Sequence, residues 1–428
     1  MNKIIFHIDF DSYFVSAHRS KNPFLNNKPV AIGKKTYKSI VTSISYELKK
    51  LGIKAGDPVN LVINKEPKTI FIQPDFNLYL EISNNIFEYL AIKYSKKIEI
   101  YSIDECWIDI TNNLKNKSAF QMAKEIQNNI MKFFKIPISI GISYNKFFAK
   151  MATTLAKPFG IKEINVLNFK EQLWNLDLKE YFGIGKALLP KLNQLNIWTI
   201  KDLAIQNPYN PLLYSILKSK TKILIDQANG TADDVINTNN NHPKSIGVDL
   251  TFDHYDYDKN DLINILKEIT NKICLKAQKN DLVSDTIYIN FRYMDKKWKG
   301  KQYKLTTYSN EFNYIFKYVS ILFEQMYQNQ KLKGIGVKIL NVKDIDLVSI
   351  PIPLFGKENN NNYNNTKINN QKTKKIKNIV QLINKKTNSS VTYLASKLET
   401  NSKLLKKQTR FFSENSYENT IYKDKKWK

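Results

Sequence analysis

The chain of 428 residues has little cysteine and little histidine. Its two cysteines, Cys106 and Cys274, lie far apart in sequence, which argues against a disulfide framework and favours a reducing cytosol. Neither they nor the four histidines show the paired ligand spacing of zinc sites. The histidines are His7, His18, His242 and His254. Zinc enzymes and disulfide-stapled secreted domains are therefore poor candidate classes.

Long hydrophobic runs are also missing. No stretch approaches the ~20 apolar residues that a membrane-spanning helix needs. The N-terminal segment MNKIIFHIDFD carries acidic residues where a signal peptide would need an apolar core. We therefore expect a soluble, cytoplasmic protein with no membrane partner, divided by its length into roughly three or four domains.

Acidic residues are scarce, with 39 Asp and Glu against 66 Lys and Arg, so the net charge is +27 and the pI about 9.6. An excess of this size indicates a polyanionic partner, most commonly nucleic acid. The alternative cause is the lysine- and asparagine-rich composition of an AT-rich genome. Acidic residues held inside apolar segments of such a chain are candidates for a specific task.

Two acidic pairs interrupt apolar strands. Asp104 and Glu105 are adjacent in YSIDECWIDI (101–110), and Asp9 and Asp11 lie in IIFHIDFDSYF (4–14), where strand alternation would put both carboxylates on one face. Either pair alone could be a turn former or the partner of a surface lysine. Unpaired carboxylates in apolar strands are costly, so a cation is expected, and carboxylate oxygens suit magnesium. Together the pairs indicate a divalent-metal site for phosphoryl transfer.

The element pattern of the first 145 residues predicts a ferredoxin-like α+β module with helices on one face of an antiparallel sheet. Residues 98–110 are expected to form one strand beside the strand of Asp9. A helical block follows from about 167 to 236. Within it, Gly183 and Gly185 precede a helix, so their backbone amides could grip a phosphate, or the segment could be an ordinary loop.

A second α+β block is expected from about 245 to 345, after the polar linker 237–244. The strand 285–295 alternates, so Arg292 should lie on a face that meets solvent or nucleic acid. A lysine run follows this strand and is either an extension of that surface or simply a solvated face. Its members are Lys296, Lys297, Lys299, Lys301 and Lys304. Beyond Phe355 the low-complexity sequence predicts disorder.

Four segments resemble the motifs of the Y-family, or translesion, DNA polymerases, and most closely the DinB or DNA polymerase IV branch. They are HIDFDSYFVSA, SISYELKKLGIKAGDPV, YSIDECWIDIT and SIGISYNKFFAKMATTLAKPFGI. The resemblance implies an α+β multidomain right-hand polymerase, with a ferredoxin-like palm, small fingers, a helical thumb containing a helix-hairpin-helix, and an α+β little finger. The implied regions are the palm at 1–17 and 77–166, fingers at 18–76, thumb at 167–236, linker at 237–244, little finger at 245–355 and a basic tail at 356–428.

The function implied by this resemblance is template-directed DNA synthesis of low fidelity that bypasses damaged template bases. The partners would be primer-template DNA and deoxynucleoside triphosphates, and the protein a monomer. Two Mg²⁺ ions would be held by Asp9, Asp104, Glu105 and the main-chain carbonyl of Phe10, so that no protein nucleophile is needed. The three carboxylates would be the catalytic residues.

Further positions follow from the same resemblance. Phe14 matches the aromatic side chain that rejects a 2′-hydroxyl, although it could be only a core residue. Tyr46, Lys49 and Lys157 match the triphosphate contacts, and Lys49 stands where an arginine is usual, which keeps the charge but loses the forked grip. His18 stands where the family often has glutamate. Contacts to DNA are expected at Gly183, Gly185 and Arg292.

The segment IPIPLF (350–355) resembles the sliding-clamp peptide of the family, with Pro351 in place of its glutamine. Leu354 and Phe355 would bind the clamp or, alternatively, close the core of the little finger. Two rival functions stay open at this point: a catalytically silent DNA-binding or clamp-associated protein, and a nuclease or other two-metal phosphotransferase.

Overall fold

The computed structural model describes residues 3–36, 39–232, 235–238, 243–252 and 254–348. They fall into two compact units, one ending at residue 238 and one beginning at 243. The clamp-like residues Leu354 and Phe355 and the low-complexity tail lie outside the described residues. Within the described ranges, no helix is both long enough and apolar enough to span a membrane.

Both units contain strands and helices. The strands are β1 (Ile5–Phe10), β2 (Val30–Ile32), β3 (Ser43–Ile44), β4 (Ile70–Ile72), β5 (Ile98–Ser102), β6 (Glu105–Asp109), β7 (Ile138–Ser143), β8 (Ile161–Glu163), β9 (Ser245–Thr251), β10 (Leu282–Arg292), β11 (Trp298–Ser309), β12 (Gly334–Leu340) and β13 (Lys343–Asp344). The α-helices are α1 (Tyr13–Lys21), α2 (Tyr46–Lys49), α3 (Val59–Lys65), α4 (Phe76–Lys93), α5 (Ala119–Phe134), α6 (Lys146–Ala156), α7 (Phe169–Leu173), α8 (Leu189–Asn193), α9 (Ile200–Ala204), α10 (Pro211–Leu217), α11 (Thr221–Ala228), α12 (Lys259–Lys279) and α13 (Phe312–Met326).

The main sheet of the first unit has the order β5-β6-β1-β7-β8, antiparallel except for the parallel pair β7 and β8. Phe6, Ile8 and Phe10 alternate along β1 and are buried in one cluster with residues of α4 and α5. Local sequence fixes where these helices begin, because Asp75 caps α4 and Ser118 forms a capping box with Gln121 at α5. The predicted adjacency of the two acidic segments in one sheet is confirmed.

The helix α6, which follows the predicted module, packs on the face of this sheet opposite to α4 and α5. The opposite face carries His7, and Thr153 of α6 donates a hydrogen bond to the His7 carbonyl. A Cβ atom on Gly141 of β7 would lie 2.0 Å from the Ala149 carbonyl oxygen of α6. Because residue 141 has no side chain, α6 can pack directly on the strand. This packing brings the polar residues of α6 over the face that carries Asp9.

The expected single strand over 98–110 is also wrong. β5 ends at Ser102 and β6 begins at Glu105, so Ile103 and Asp104 form the turn of a tight hairpin. The Ser102 hydroxyl accepts a hydrogen bond from the Asp104 amide at 3.4 Å and donates one to its carboxylate at 2.6 Å. These local bonds compete with a continuous strand, as short polar side chains commonly do. The turn places Asp104 at the end of the hairpin.

The segment between α1 and α4 forms a small body of its own. Its sheet has the order β3-β2-β4 and is made of strands of two or three residues. A small buried cluster joins this sheet to α2 and α3 and includes Val41, Leu48 and Val62. Gly52, with a φ of 72°, follows α2 in the left-handed region that favours glycine.

Residues 169–228 contain five short helices, α7 to α11. Turns around Gly183 and Gly185 precede α8, and a further turn separates α8 from α9. The start of α9 is fixed by a capping box between Thr199 and Asp202. The boundaries of palm, fingers and thumb stay predictions.

The second unit contains a sheet of order β11-β10-β12-β9 with α12 and α13 on one face. Two features differ from the sequence prediction. On the face of Arg292, which was expected to meet solvent or nucleic acid, Asn290 is buried and donates a hydrogen bond to Asp249. Lys299 and Lys301 lie opposite Phe291 and Ile289, so they share the helix-covered face rather than that of Arg292. The lysine run is thus divided between both faces of this sheet.

Candidate active site

The three predicted catalytic carboxylates come together at one end of the β1 and β6 pair. Asp9 lies directly opposite Glu105 in the antiparallel register. The Phe10 amide donates a hydrogen bond to the Asp104 carbonyl at 2.8 Å, which fixes the hairpin turn against β1. Asp9 is 6% exposed and Glu105 is 9% exposed. Adjacent strands therefore place all three acidic residues at neighbouring, largely buried positions.

The charges of this cluster act on one another. The pKa of Asp104 is raised, first by burial and then by the negative charges of Asp9 and Glu105. The hydrogen bond from Ser102 and the charge of Lys157 oppose that rise. An added cation would relieve this repulsion, because it favours the ionised form of each carboxyl.

Two lysines lie against the carboxylates. The Lys157 Nζ is 2.5 Å from Asp9 Oδ1, and Lys150 of α6 forms an ion pair with Glu105 while its Nζ lies 3.6 Å from Asp9 Oδ2. No group of three or more His, Cys, Asp or Glu side chains in the described ranges has a geometry ready to hold a metal ion. Glu105 is instead paired with Lys150. The donor chemistry nevertheless fits a hard divalent cation, because the three acidic side chains offer only oxygen atoms.

His7 lies against Glu105 on the buried side of the site. It is fully buried, its Nδ1 lies 2.9 Å from the Thr153 hydroxyl, and its Nε2 lies 3.4 Å from Glu105 Oε2. Burial lowers the pKa of His7 to about 4, so the ring is neutral at physiological pH. Burial alone would raise the pKa of Glu105, but the contact with His7 and the charge of Lys150 lower it to about 2.

The buried neutral His7 makes stability depend on pH. Its pKa falls from 6.5 to about 4 on folding, so the unfolded chain binds more protons between these values. We expect the free energy of unfolding to decrease as the pH falls from about 6.5 to 4, by on the order of 3 kcal/mol from this group. Urea unfolding of wild type and His7→Phe should show a steeper pH dependence in the wild type over this window. Parallel profiles would contradict the assignment.

The predicted triphosphate contacts converge on the same place. The Tyr46 hydroxyl donates a 3.0 Å hydrogen bond to Asp11, and the Lys49 Nζ lies 4.1 Å from the centre of the Tyr46 ring. Lys49 is more than a third exposed, yet partial burial of its ammonium and repulsion from Lys157 lower its pKa. Two cations and a phenol thus lie beside Asp9 and Asp11.

Asp11 organises this neighbourhood. β1 ends at Phe10, so Asp11 lies one residue beyond the strand that was predicted to carry both carboxylates. The Asp11 carboxylate accepts hydrogen bonds from the Ser139 hydroxyl, the Phe159 amide and Tyr46. Ser139 lies opposite Asp9 in the sheet, so Asp11 still reaches the same side. Burial raises the pKa of Asp11 against these hydrogen bonds. Asp11 therefore positions the Tyr46 side chain and the backbone at Phe159.

Phe14 lies in the first turn of α1 and is half-buried. Its ring stacks on Tyr79 at 4.2 Å with an interplanar angle of 8°. His18, where the family often has glutamate, lies with Nε2 2.9 Å from the Tyr79 hydroxyl. One face of Phe14 is therefore packed and supported, and part of the ring stays accessible. This geometry is compatible with both the steric filter and the core residue.

The predicted DNA contacts are not part of this cluster. Gly183 and Gly185 are exposed on either side of Ile184, which is buried and anchors the turn. Gly183 has a φ of 105°, a conformation that L side chains rarely adopt. Arg292 lies in the second unit, where its guanidinium donates a hydrogen bond to Thr251 and stacks near Trp298. Arg292 is half-buried, so only part of it is available to a ligand.

Sequence reasoning did not single out Lys150, Tyr79, Thr153 or the support role of His7. Lys150 and Lys157 both occur in KFFAKMATTLAKP, seven residues apart, which is two turns of a helix. That spacing could have indicated that they share a face. Thr153 and Tyr79 carry no comparable signal, because their roles depend on which strands and helices meet.

Comparison with known proteins decides the family of this chain. The model of the impB/mucB/samB family matches residues 8–154, that of its C-terminal domain matches 243–350, and the IMS family HHH motif matches 168–197. These matches cover more than half of the chain. It belongs to the Y-family of translesion DNA polymerases, in the DNA polymerase IV (DinB) branch. As a DNA polymerase of this family it is a nucleotidyltransferase, and the family implies a general dependence on divalent metal.

Relatives of this Y-family polymerase are 31–32% identical to it over the aligned residues. DNA polymerase IV of Oceanobacillus iheyensis is 31% identical, over 83% of this chain and 84% of the relative. DNA polymerase IV of Clostridioides difficile is also 31% identical, over 82% of this chain and 96% of the relative. That of Ureaplasma parvum serovar 3 is 32% identical, over 79% and 94%.

Solved structures confirm the Y-family fold. A Y-family DNA polymerase chimera, Dbh-Dpo4(243-245)-Dbh, matches with a TM-score of 0.72 and 26% identity, over 80% of this chain and 99% of the chimera. The insertion ternary complex of Dbh DNA polymerase matches with a TM-score of 0.57 and 26% identity, over 80% and 99%. The predicted α+β right-hand polymerase fold is therefore confirmed.

Proposed function

We propose that this Y-family polymerase adds deoxynucleotides to the 3′ end of a primer, directed by a template, and continues past damaged template bases with low fidelity. The observation that carries the proposal is the register of Asp9 opposite Glu105, with Asp104 at the adjoining turn and Lys157 in contact with Asp9. This arrangement combines metal-binding oxygens with cations suited to a triphosphate. The matched ternary complexes of Dbh support DNA and nucleotide as partners.

Asp9, Asp104, Glu105 and the main-chain carbonyl of Phe10 would hold two Mg²⁺ ions. When bound, such ions supply a lower pKa for the primer 3′-hydroxyl and charge neutralisation for the leaving pyrophosphate. The protein contributes the backbone positions of the three acidic residues, which the pairing of β1 with β6 and the hydrogen bond from the Phe10 amide to the Asp104 carbonyl hold in place. Transition-state stabilisation by prearranged charge is usually a large part of catalysis.

Lys157, Lys49 and Tyr46 would bind the triphosphate. Lys157 now pairs with Asp9, so an arriving phosphate would take over one partner of an existing ion pair. Lys49 supplies a point charge rather than the forked grip of an arginine. Phe14, supported by Tyr79, would lie under the sugar and reject a 2′-hydroxyl.

Loss of the Lys157 charge should weaken nucleotide binding. We expect Lys157→Gln to raise the KM for deoxynucleotides roughly 10- to 100-fold, because a hydrogen bond to a charged group contributes about 1.5–3 kcal/mol. Single-nucleotide insertion kinetics would measure the change. Lys162→Gln on β8 is the matched control, since no contact of Lys162 with an acidic residue of the site is seen in the described structure. Equal KM values for both variants would remove Lys157 from this role.

DNA would contact both units. The exposed backbone at Gly183 and Gly185 lies within the match to the HHH motif, which supports a grip on a backbone phosphate. In the second unit, Arg292 and Lys304 lie on the sheet face away from α12 and α13. The net charge of +27 favours salt-sensitive DNA binding. Clamp binding through Leu354 and Phe355, and the monomeric state, stay predictions.

Low fidelity and lesion bypass are supported by the small insert between α1 and α4. Its sheet contains only strands of two or three residues, which leaves little protein to close over a nascent base pair. Extension of a primer on undamaged and abasic templates, with Mg²⁺ or with EDTA, tests the proposal. Mg²⁺-dependent extension on both templates is expected. Binding without extension would support a silent DNA-binding protein, and release of nucleotides without added triphosphates would support a nuclease.

A further inference from the structure

Lys150 is the most enclosed cation of the active-site cluster. Its side chain is 13% exposed, against 35% for that of Lys157. It projects from α6, which packs on the sheet over Gly141, and it contacts Glu105 while lying 3.6 Å from Asp9 Oδ2. The third neighbour of its ammonium is the Phe182 ring, whose centre is 5.7 Å away. A single lysine thus connects two carboxylates that face each other across β1 and β6.

We propose that Lys150 is a built-in counter-cation, which holds Asp9 and Glu105 together before a divalent ion is bound and competes with that ion for them. This inference rests on the proposed metal site. Two buried carboxylates on facing positions repel each other, and a positive charge between them removes that repulsion. The same ammonium repels an incoming divalent ion and occupies a Glu105 oxygen that the ion needs.

The remaining contacts of Glu105 agree with this role. His7 also lies near Glu105, with its Nε2 3.4 Å from Glu105 Oε2. Lys157 is paired with the other oxygen of Asp9 and has no described contact with Glu105. Lys150 is accordingly the cation that the described structure places against both carboxylates. Ion loading would release Lys150 beside Phe182, next to the exposed turn at Gly183.

The helix offers a matched control one turn away. Lys146, four residues before Lys150, has a similarly enclosed side chain, 20% exposed, and pairs with Glu99 at 2.8 Å. Glu99 lies on β5 and is not one of the proposed ligands. Lys146→Gln therefore removes an equivalent ion pair from α6 and leaves the three carboxylates untouched.

The test measures binding of Mn²⁺ to the full chain without DNA, from the free-ion signal in electron paramagnetic resonance. Lys150→Gln should bind Mn²⁺ roughly 5- to 10-fold more tightly than wild type, since one nearby positive charge is removed. Lys146→Gln and the charge-conserving Lys150→Arg should stay within about 2-fold of wild type. Equal or weaker binding by Lys150→Gln would overturn the proposal and leave Lys150 as a structural support.

Two further variants keep the outcomes separate. If Lys150→Gln does not fold, Lys150→Met retains the unbranched chain against Phe182 and carries the same expectation. Asp104→Ala tests the metal site itself, because it should weaken Mn²⁺ binding while Lys150 is intact. Binding that is insensitive to Asp104→Ala contradicts the proposed metal site. Binding that is sensitive to Asp104→Ala but unchanged by Lys150→Gln contradicts only the role of Lys150.

Discussion

Asp104→Ala is expected to reduce Mg²⁺-dependent primer extension by at least about 10³-fold. Asp104 lies in the hairpin turn, and its main-chain carbonyl accepts a hydrogen bond from the Phe10 amide. Its carboxylate is therefore at the junction of the two acidic segments. Its removal would take one carboxylate ligand away from the proposed Mg²⁺ site. The backbone bond to Phe10 does not involve the side chain, so the hairpin should persist. Single-turnover nucleotide insertion would measure the loss.

Asp109→Ala is the control for that experiment. Asp109 ends β6, the strand that follows the turn at Asp104. Its carboxylate accepts a hydrogen bond from the Thr111 amide and lies 3.5 Å from the Lys97 Nζ. These contacts lower the pKa of Asp109 and belong to the end of the strand away from Asp9. We expect near wild-type insertion from this variant. If Asp104→Ala were as active as Asp109→Ala, the catalytic assignment of Asp104 would be wrong.

Phe14→Ala should admit ribonucleotides. We expect discrimination between deoxynucleotides and ribonucleotides to fall roughly 10²-fold, because the accessible part of the Phe14 ring would no longer exclude a 2′-hydroxyl. Insertion of deoxynucleotides should be reduced far less. The ratio of kcat/KM for the two nucleotide types measures the effect.

The variant Phe76→Ala removes a neighbouring aromatic ring and serves as the comparison for Phe14→Ala. Phe76 lies at the start of α4, and its ring contacts the Phe14 ring edge-on, with 6.0 Å between the ring centres. Phe76→Ala should leave discrimination close to wild type if Phe14 alone forms the filter. Unchanged discrimination in Phe14→Ala would assign this ring to the core, where its stack on Tyr79 is a packing contact.

The strands near the proposed catalytic carboxylates could be predicted from sequence, but their ends could not. Apolar alternation and the acidic interruptions predicted that Asp9 and Asp104 share a sheet. The hairpin turn at Asp104 was missed because Ile103 is strand-forming and no glycine or proline marks the turn. The bonds from Ser102 that stabilise it are local, and they replace the expected turn residues.

Long-range packing explains the other differences. The helix α6 covers the face of Asp9 because Gly141 has no side chain and because Thr153 donates a hydrogen bond to the His7 carbonyl. Thr153 and His7 are 146 positions apart in sequence. The support of Asp11 by Ser139 joins residues 128 positions apart. Local periodicity does not encode such contacts, so the carboxylates could be chosen from the sequence, whereas Lys150 required the structure.

The central claim is that Asp9, Asp104 and Glu105 share divalent ions at the end of the primer. A crystal of the full chain with primer-template DNA, a non-hydrolysable deoxynucleotide and Mn²⁺ tests it through the anomalous signal of the metal. Two Mn²⁺ peaks are expected within coordination distance of these three carboxylates. Peaks bound elsewhere, with the carboxylates still paired to Lys150 and Lys157, would contradict it.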